Sequence, residues 1–428
     1  MIFAEDLLHY IWKFRLYNQQ DLCTSDGFSV QIISPGLQHH HAGPDFQNAK
    51  IRIGETLWAG NVEIHIRASD WMRHEHSKDA SYNNVILHVV YKNDVEILNE
   101  QGLKMPVLVL EDRIEDSLLL RYQNLLYAEQ AAFPCEKIIH HVDEFTIQNW
   151  LDRMLIERLE EKSTQILQKT ALLKGNWEEA FYQTLASNFG FKVNALPFEL
   201  LAKALPLNIL AKHTHNLLQT EALIFGQAGF LNDSSEDLYV LSLQKEYQFL
   251  QQKYSLKPIE KHLWKFLRLR PPNFPTIRLA QFAVLMHKQN RFLAEILKAE
   301  NPESINAVFT GINPSNYWTN HYQFEKEAKS SSKKLGQSSA ENILINTVAV
   351  FLFAYAKENR SEKHHERALQ LLENLPCENN FIISNFIEAG VKLKTAGNSQ
   401  AIIELYNHYC SKKRCLACGI GNKLLKTS

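Results

Sequence analysis

Six cysteines in 428 residues are too few to staple a secreted scaffold. Three of them crowd into Cys410, Cys415 and Cys418, a pattern suited to a reducing compartment where clustered thiols bind metal more readily than they pair. Cys23, Cys135 and Cys377 stand alone in the sequence. Glycine (16) and proline (13) are sparse, which excludes collagenous and low-complexity chains. Neither sign of charge dominates: 46 Lys and Arg face 47 Asp and Glu, a formal net charge of −1, so any polyanion site is a local patch and not a whole-molecule field. Long apolar runs are also missing. The longest, Ile343 to Ala356, is broken by Asn346 and Thr347 and falls short of the roughly 20 residues that span a bilayer; it reads as a buried helix, with no membrane partner expected. The opening decapeptide carries Glu5 and Asp6 where a secretory signal carries basic residues, so a cytoplasmic location is expected.

What the chain does contain is core material. Its 45% hydrophobic and 22% charged residues match a globular protein, and its length allows two or three domains at about 100–200 residues each. Phe3, Leu7, Leu8, Ile11, Trp12 and Leu16 recur at helical spacing, so an amphipathic helix opens the protein. From Phe28 to about Leu110 the pattern changes to short β-type runs: Val30 to Ile33, Ala49 to Ile53, Leu57 to Ile66, Val85 to Tyr91 and Val107 to Leu110. Beyond these, Phe145 to Lys169, Trp177 to Phe189, Asp237 to Tyr254, Ile277 to Ala299 and Ile343 to Lys357 repeat apolar residues at i, i+3, i+4. The expected fold is mixed α+β. An α/β domain with a small central mixed sheet over residues 1–130 precedes an all-helical domain over 131–325, and a helical extension with the Cys-bearing basic tail occupies 340–428. Lys326 to Ser339, rich in Lys and Ser, is expected to be an exposed loop.

The chemistry concentrates in Gly43-Pro44-Asp45-Phe46 and, eighteen residues after Asp45, Glu63-Ile64-His65. In a strand Val62, Ile64 and Ile66 point one way and Glu63, His65 and Arg67 the other, giving one core face and one polar face. Two acids from adjacent strands plus a nitrogen base make an oxygen-rich site for Mg²⁺ or Mn²⁺ with a group that positions water. This pattern resembles the restriction-endonuclease-like superfamily, whose PD-(D/E)xK motif sets Pro-Asp at the start of one strand and (D/E)-x-K on the next. Pro44-Asp45 matches the first part, and Glu63-Ile64-His65 the second, with His65 at the lysine position. The resemblance implies an opening helix that contributes Glu5, a helix near Ser69 to Tyr82, and phosphodiester hydrolysis with Asp45, Glu63 and His65 as the catalytic set. Imidazole is a weaker electrostatic clamp than ammonium, so the departure at His65 bears on catalysis more than on fold.

Seven of the 18 histidines fall between His39 and His88, against the roughly two that even spacing would place there. His39, His40, His41, His65, His74 and His76, with Asp70 and Asp79 nearby, are candidates for a transition-metal site, because imidazole suits Zn, Mn or Fe. His88, in the nearly continuous apolar run Val85 to Tyr91, reads as core.

Between Lys257 and Arg278 six basic residues meet one acid, Glu260. Lys257, Lys261, Lys265 and Arg268 follow helical spacing that stacks them on one face, and with Arg270 and the interleaved Trp264, Phe266 and Phe274 they form the candidate nucleic-acid surface. Trp318 and His321 read as interdomain packing. At the tail, C-x4-C-x2-C spacing in Cys410, Cys415 and Cys418 leaves two alternatives open: a zinc site completed by His408, or an iron–sulfur cluster completed by Cys23. Some nucleases of the superfamily place cluster cysteines on both sides of the nuclease core.

The whole chain also resembles one uncharacterised family of bacterial proteins, through Trp58-Ala-Gly-Asn-Val-Glu-Ile-His65, Ser69-Asp-Trp71, Arg268-Leu-Arg-Pro271, Asn273-Phe-Pro275 and Arg414-Cys-Leu-Ala-Cys418. That resemblance supplies no activity. The functional expectation is a metal-dependent nuclease. The alternatives are an inactive nucleic-acid-binding or scaffold protein on the same fold, or a metallohydrolase of small phosphoesters that uses the histidine cluster.

Overall fold

The computed structural model describes residues 3–39, 42–98, 102–128, 131–288 and 291–426. The chain divides into two compact units, one of Met1–Trp150 with Glu388–Val391 and Leu405–Ser428, the other of Leu151–Ile387 with Lys392–Glu404. The cysteine-bearing tail therefore groups with the N-terminal unit.

In that first unit α1 (Glu5–Phe14) buries Leu7, Leu8, Ile11 and Trp12 on one stripe. It carries Glu5 and Asp6 at its positive end and stops at Arg15, which takes a left-handed conformation. A six-stranded sheet follows: β1 (Val30–Ser34), β2 (Leu37–Gln38), β3 (Phe46–Ile53), β4 (Thr56–Arg67), β5 (Val85–Lys92) and β6 (Val107–Val109). Its order is β1-β3-β4-β5-β6, with β2 also on β3. The β1, β2, β3 and β4 pairings are antiparallel, and β4-β5-β6 is parallel. All five expected strands are present to within a few residues. The parallel half needs a crossover after β4. Short α2 (Asp70–Arg73) and two 3₁₀ turns, His76–Lys78 and Ala80–Tyr82, provide it, and α3 (Asp116–Leu126) follows the sheet.

Gly60 permits the closest crossing of β4 and β5. A Cβ there would lie 2.4 Å from Ile86 Cγ2 and 2.7 Å from the Asn84 carbonyl, distances that no side chain tolerates.

The second unit is helical. Its core gathers Phe181, Phe198, Phe225, Phe282, Phe351 and Trp318, with Phe225 and Trp318 stacked at 5.2 Å between centroids. Helix Gln337–Asn359 is long and apolar enough to cross a membrane by length and composition, and 78% of its apolar window is buried.

Four expectations are corrected. The helix expected over Ser69 to Tyr82 is one turn followed by 3₁₀ segments, because Glu75 takes φ 59° and Asp79 accepts from Ser81 N–H at 2.9 Å; such local bonds compete with the helix ladder. Ile277 to Ala299 is two helices, Pro275–Lys288 and Phe292–Lys298. Lys257, Lys261, Lys265, Arg268 and Arg270 are exposed, but on an irregular segment with two 3₁₀ turns rather than on a helix face. Prolines 258, 271, 272 and 275 interrupt any helical ladder, Arg268 takes φ 63°, and Asn194 bonds both the N–H and the C=O of Lys265 at 2.9 Å. Trp318 packs inside the helical unit, fully buried, not between domains.

Candidate metal centre

Glu63 and His65 alternate onto the same side of β4, as the strand period dictates. The polar face is itself buried: Glu63 is 4% and His65 1% exposed. Trp71, from α2, seals the cluster, with its ring 5.3 Å from that of His76 and 5.2 Å from that of His88. Tyr82 stacks on His76 at 3.8 Å. The broken crossover after β4 thus serves the site, because it folds His74 and His76 back over the strand where a straight helix would carry at least one of them away.

Three imidazole nitrogens converge, and one carboxylate oxygen approaches two of them. His65 Nε2 lies 3.2 Å from His74 Nδ1 and 3.3 Å from His76 Nε2. Glu63 Oε1 lies 3.2 Å from His76 Nε2 and 3.6 Å from His65 Nε2. Donors about 2.0–2.1 Å from a tetrahedral ion sit about 3.3–3.4 Å apart, close to these four separations, but Glu63 does not approach His74 as it does His65 and His76. His65, His74 and His76 form a set able to hold a metal ion. His74 is the exposed member and the other two are buried.

Behind these donors a second layer fixes their orientation. His65 Nδ1 meets His88 Nε2 at 2.8 Å. For the His65 Nε2 lone pair to face the cluster, Nδ1 must carry the proton and donate to His88, which leaves the His88 proton on Nδ1, a buried atom with no partner. His88 is thus in the core as expected, yet it orients the site. Burial, with the neighbouring histidines adding in the same direction, pushes His65 down to about 2. Burial and then His76 push His88 down to about 3. Both imidazoles stay neutral, the form that ligates metal.

Asp45 stands at the entry to β3 beside this set. Its N–H donates to Glu63 Oε2 at 3.0 Å, and its Oδ2 accepts from Ile64 N–H at 3.0 Å and lies 3.2 Å from His9 Nε2. Desolvation works against the charge on His9, but the bond to Asp45 and its charge prevail and raise the pKa. Burial raises Glu63 above the ordinary carboxylate range, with the charge of Asp45 adding and bonds to His76 and Asp45 N–H opposing. Glu5, one turn before His9, is pushed up to about 7, first by burial and then, against His9, by the charges of Asp45, Glu63 and Asp70.

Other candidates fall elsewhere. Asp70 accepts from Arg67 N–H at 3.1 Å and pairs with Arg73 at 3.0 Å. Exposed Asp79 caps the turn at Ser81. His39 donates its backbone N–H to the Asp45 carbonyl at 2.7 Å, and His40 and His41 lie outside the described residues. Sequence reasoning missed His9, whose one signal was the i, i+4 spacing from Glu5 on α1.

At the tail, Cys135 lies within electrostatic reach of Cys410, Cys415 and Cys418, though no three of these sulfurs form a mutually close set among the described residues. Burial first, then the other thiols, raise Cys135 and Cys410, and Cys415 is pushed to about 12 by burial and Cys418. Burial raises Cys418 as well, opposed by the N–H groups of Gly421 and Ile420. Gly421 packs on the Cys415 carbonyl, which a Cβ would meet at 2.3 Å. Cys23 is exposed, and His408 is half-buried on the turn Tyr406–Cys410.

Together these features define a mixed α+β protein with a sheet-borne histidine–carboxylate cluster and a helical second unit. A family described as protein of unknown function (DUF2851) matches residues 5–381, and the chain belongs to it. No curated protein and no solved structure matches the chain.

Proposed function

We propose that the protein is a metal-dependent hydrolase of phosphodiester bonds in nucleic acid, built on a restriction-endonuclease-like core. The observation that carries this reading is the convergence of His65 Nε2, His74 Nδ1 and His76 Nε2, with Glu63 Oε1 beside His65 and His76. Supporting the core assignment are the hairpin β3–β4 with Asp45 at its entry and Glu63 on the return strand, the parallel β5 and β6, and α1 ahead of them. Three imidazoles favour Mn²⁺, Fe²⁺ or Zn²⁺ over Mg²⁺. On this reading His65 is a ligand and not a substitute for lysine, and Asp45, oriented by His9, is the group that takes a proton from water. A bound ion supplies Lewis-acid activation of water and of a phosphoryl oxygen. The exposed side of His74 is the approach for substrate. Lys257, Lys261, Lys265, Arg268 and Arg270 contact the phosphate backbone, so affinity falls with salt.

Cleavage of single- and double-stranded DNA and RNA by the full chain with Mn²⁺ tests this, alongside Asp45→Asn. The Asn side chain still accepts from Ile64 N–H, so the fold and metal content hold while cleavage falls by about 100-fold or more. Unchanged cleavage refutes the assignment. The same convergence favours one rival. Zn²⁺ saturated by all four donors makes a closed structural site, on a scaffold or binding protein. Stoichiometric zinc with no cleavage of any substrate selects that rival, whereas a six-coordinate metal leaves two positions for water and substrate. We further propose that Cys135, Cys410, Cys415 and Cys418 hold a zinc ion or an iron–sulfur cluster.

A further inference from the structure

Cations buried among the described residues find different partners, and Lys333, like Arg278, bonds only neutral oxygens, those of Thr319 and Ser331. Arg367 donates to the carbonyls of Leu297 and Ile296 at 2.9 and 2.6 Å, at the negative end of helix Phe292–Lys298. Arg158 pairs with Glu404 at 3.5 Å. Arg278 is only 7% exposed and meets neutral oxygens alone: Gln281 Oε1 at 3.0 Å, Asn273 Oδ1 at 2.6 Å and Ser339 Oγ at 3.0 Å. Its Nε is a buried atom with no partner among the described residues. Burial lowers its pKa to about 10, and no acid acts against that shift. It sits in the first turn of helix Pro275–Lys288, the end where a positive charge is least welcome. A charge placed this way calls for a counter-ion from outside the chain.

The surrounding pocket is built to receive one. It has a volume of about 350 Å³ and is lined by Gly190 and Phe191 at the junction between helices Trp177–Phe189 and Phe191–Ala204, by Asn273 and Pro275 at the start of Pro275–Lys288, and by Ser338 and Ser339 of the run beginning at Gln337. The run beginning at Gln337 has no side-chain cap, so its leading N–H groups lack the usual acceptor. The guanidinium lies 4.5 Å over the Phe191 ring, and Leu269 and Phe198 complete an apolar wall. Two positive helix ends and a guanidinium with no acid beside it match a phosphate group. A pocket of this volume holds a small molecule.

We propose that this pocket binds the phosphate group of a small organic phosphomonoester, with Arg278 as its anchor and the Phe191 wall holding the organic part. The site is separate from the histidine cluster and does not depend on what that cluster does. The test uses the full chain, with inorganic phosphate and adenosine monophosphate as probes against chloride and acetate at constant ionic strength, read by calorimetry and thermal unfolding. Both probes raise the melting temperature, the nucleotide more than phosphate, and Arg278→Gln weakens both by about tenfold or more. Because Arg278→Gln removes a buried side chain, Ser339→Asp provides a second variant. It sets a carboxylate beside the guanidinium, so it raises the melting temperature of the free protein and weakens phosphate by a similar factor. Absence of a phosphate response, equal binding of acetate, or wild-type phosphate affinity in Ser339→Asp each overturns the proposal.

Discussion

Replacing His88 with leucine separates metal binding from folding. In the wild type His88 Nε2 accepts from His65 at 2.8 Å within a strand whose neighbours Leu87, Val89 and Val90 are fully buried. Leucine fits that apolar run and leaves the His65 Nδ1–H without an acceptor, a cost of about 1–3 kcal/mol for a buried donor. It also deletes the unpartnered Nδ1 of His88, which relieves a cost of the same kind, so stability without metal stays within about 1 kcal/mol of wild type. Metal affinity behaves differently. Without its acceptor the His65 ring is free to turn or to change tautomer, and loss of such an outer partner weakens metal binding by about 10–100-fold, or about 1.4–2.7 kcal/mol. Chelator-stripped wild type and His88→Leu, titrated with Zn²⁺ against a competing chromophoric chelator and unfolded in urea, give both numbers. Equal zinc affinity in the two proteins would show that His65 is not a ligand held by His88.

Three further outcomes are expected. Gly60→Ala pushes a methyl into Ile86 and the Asn84 carbonyl and destabilises the protein by about 1–3 kcal/mol in urea melts; wild-type stability would mean that β4 and β5 part easily. Cys135→Ser lowers zinc, or iron with acid-labile sulfide, to the same extent as Cys415→Ser, while Cys23→Ser and His408→Ala leave it unchanged; metal retained without Cys135 removes that residue from the site. Lys162, which donates to Asn346 Oδ1 at 2.8 Å, is lowered to about 7, by burial first and then by Arg158, against the charges of Glu378 and Glu404. Its folded pKa lies below its unfolded one, so between about pH 7 and 10 the unfolded chain binds the extra proton and stability rises with pH relative to Lys162→Met, by about 3 kcal/mol between pH 7 and 9.5. A difference that stays flat over that window rejects the shift.

The sheet was legible because its strands are local objects: runs such as Val85 to Tyr91, with Gly or Pro between them, announce themselves in a few residues. Glu63 and His65 could be placed on one face from the strand period alone, and helix Trp177–Phe189 emerged with its expected ends. The basic stretch misled because helical spacing of Lys257, Lys261 and Lys265 is visible in sequence, whereas the bonds from Asn194 to the Lys265 backbone come from 71 residues away. His88 was assigned to the core on its apolar neighbours, and only its meeting with His65 revealed a second role.

By itself the sequence determined the element order, the placing of Glu63 and His65 on one side of a strand with Asp45 at the entry to its neighbour, and the crowding of three cysteines in the tail, since each depends on spacings within some twenty residues. Only the tertiary structure decided that His9 backs Asp45, that His74 and His76 turn onto His65, that Cys135 lies near the tail cysteines, and that Arg278 lies buried with no acid beside it. Those are meetings between segments distant in the chain. They are set by which faces exclude water together, a property that no single segment possesses.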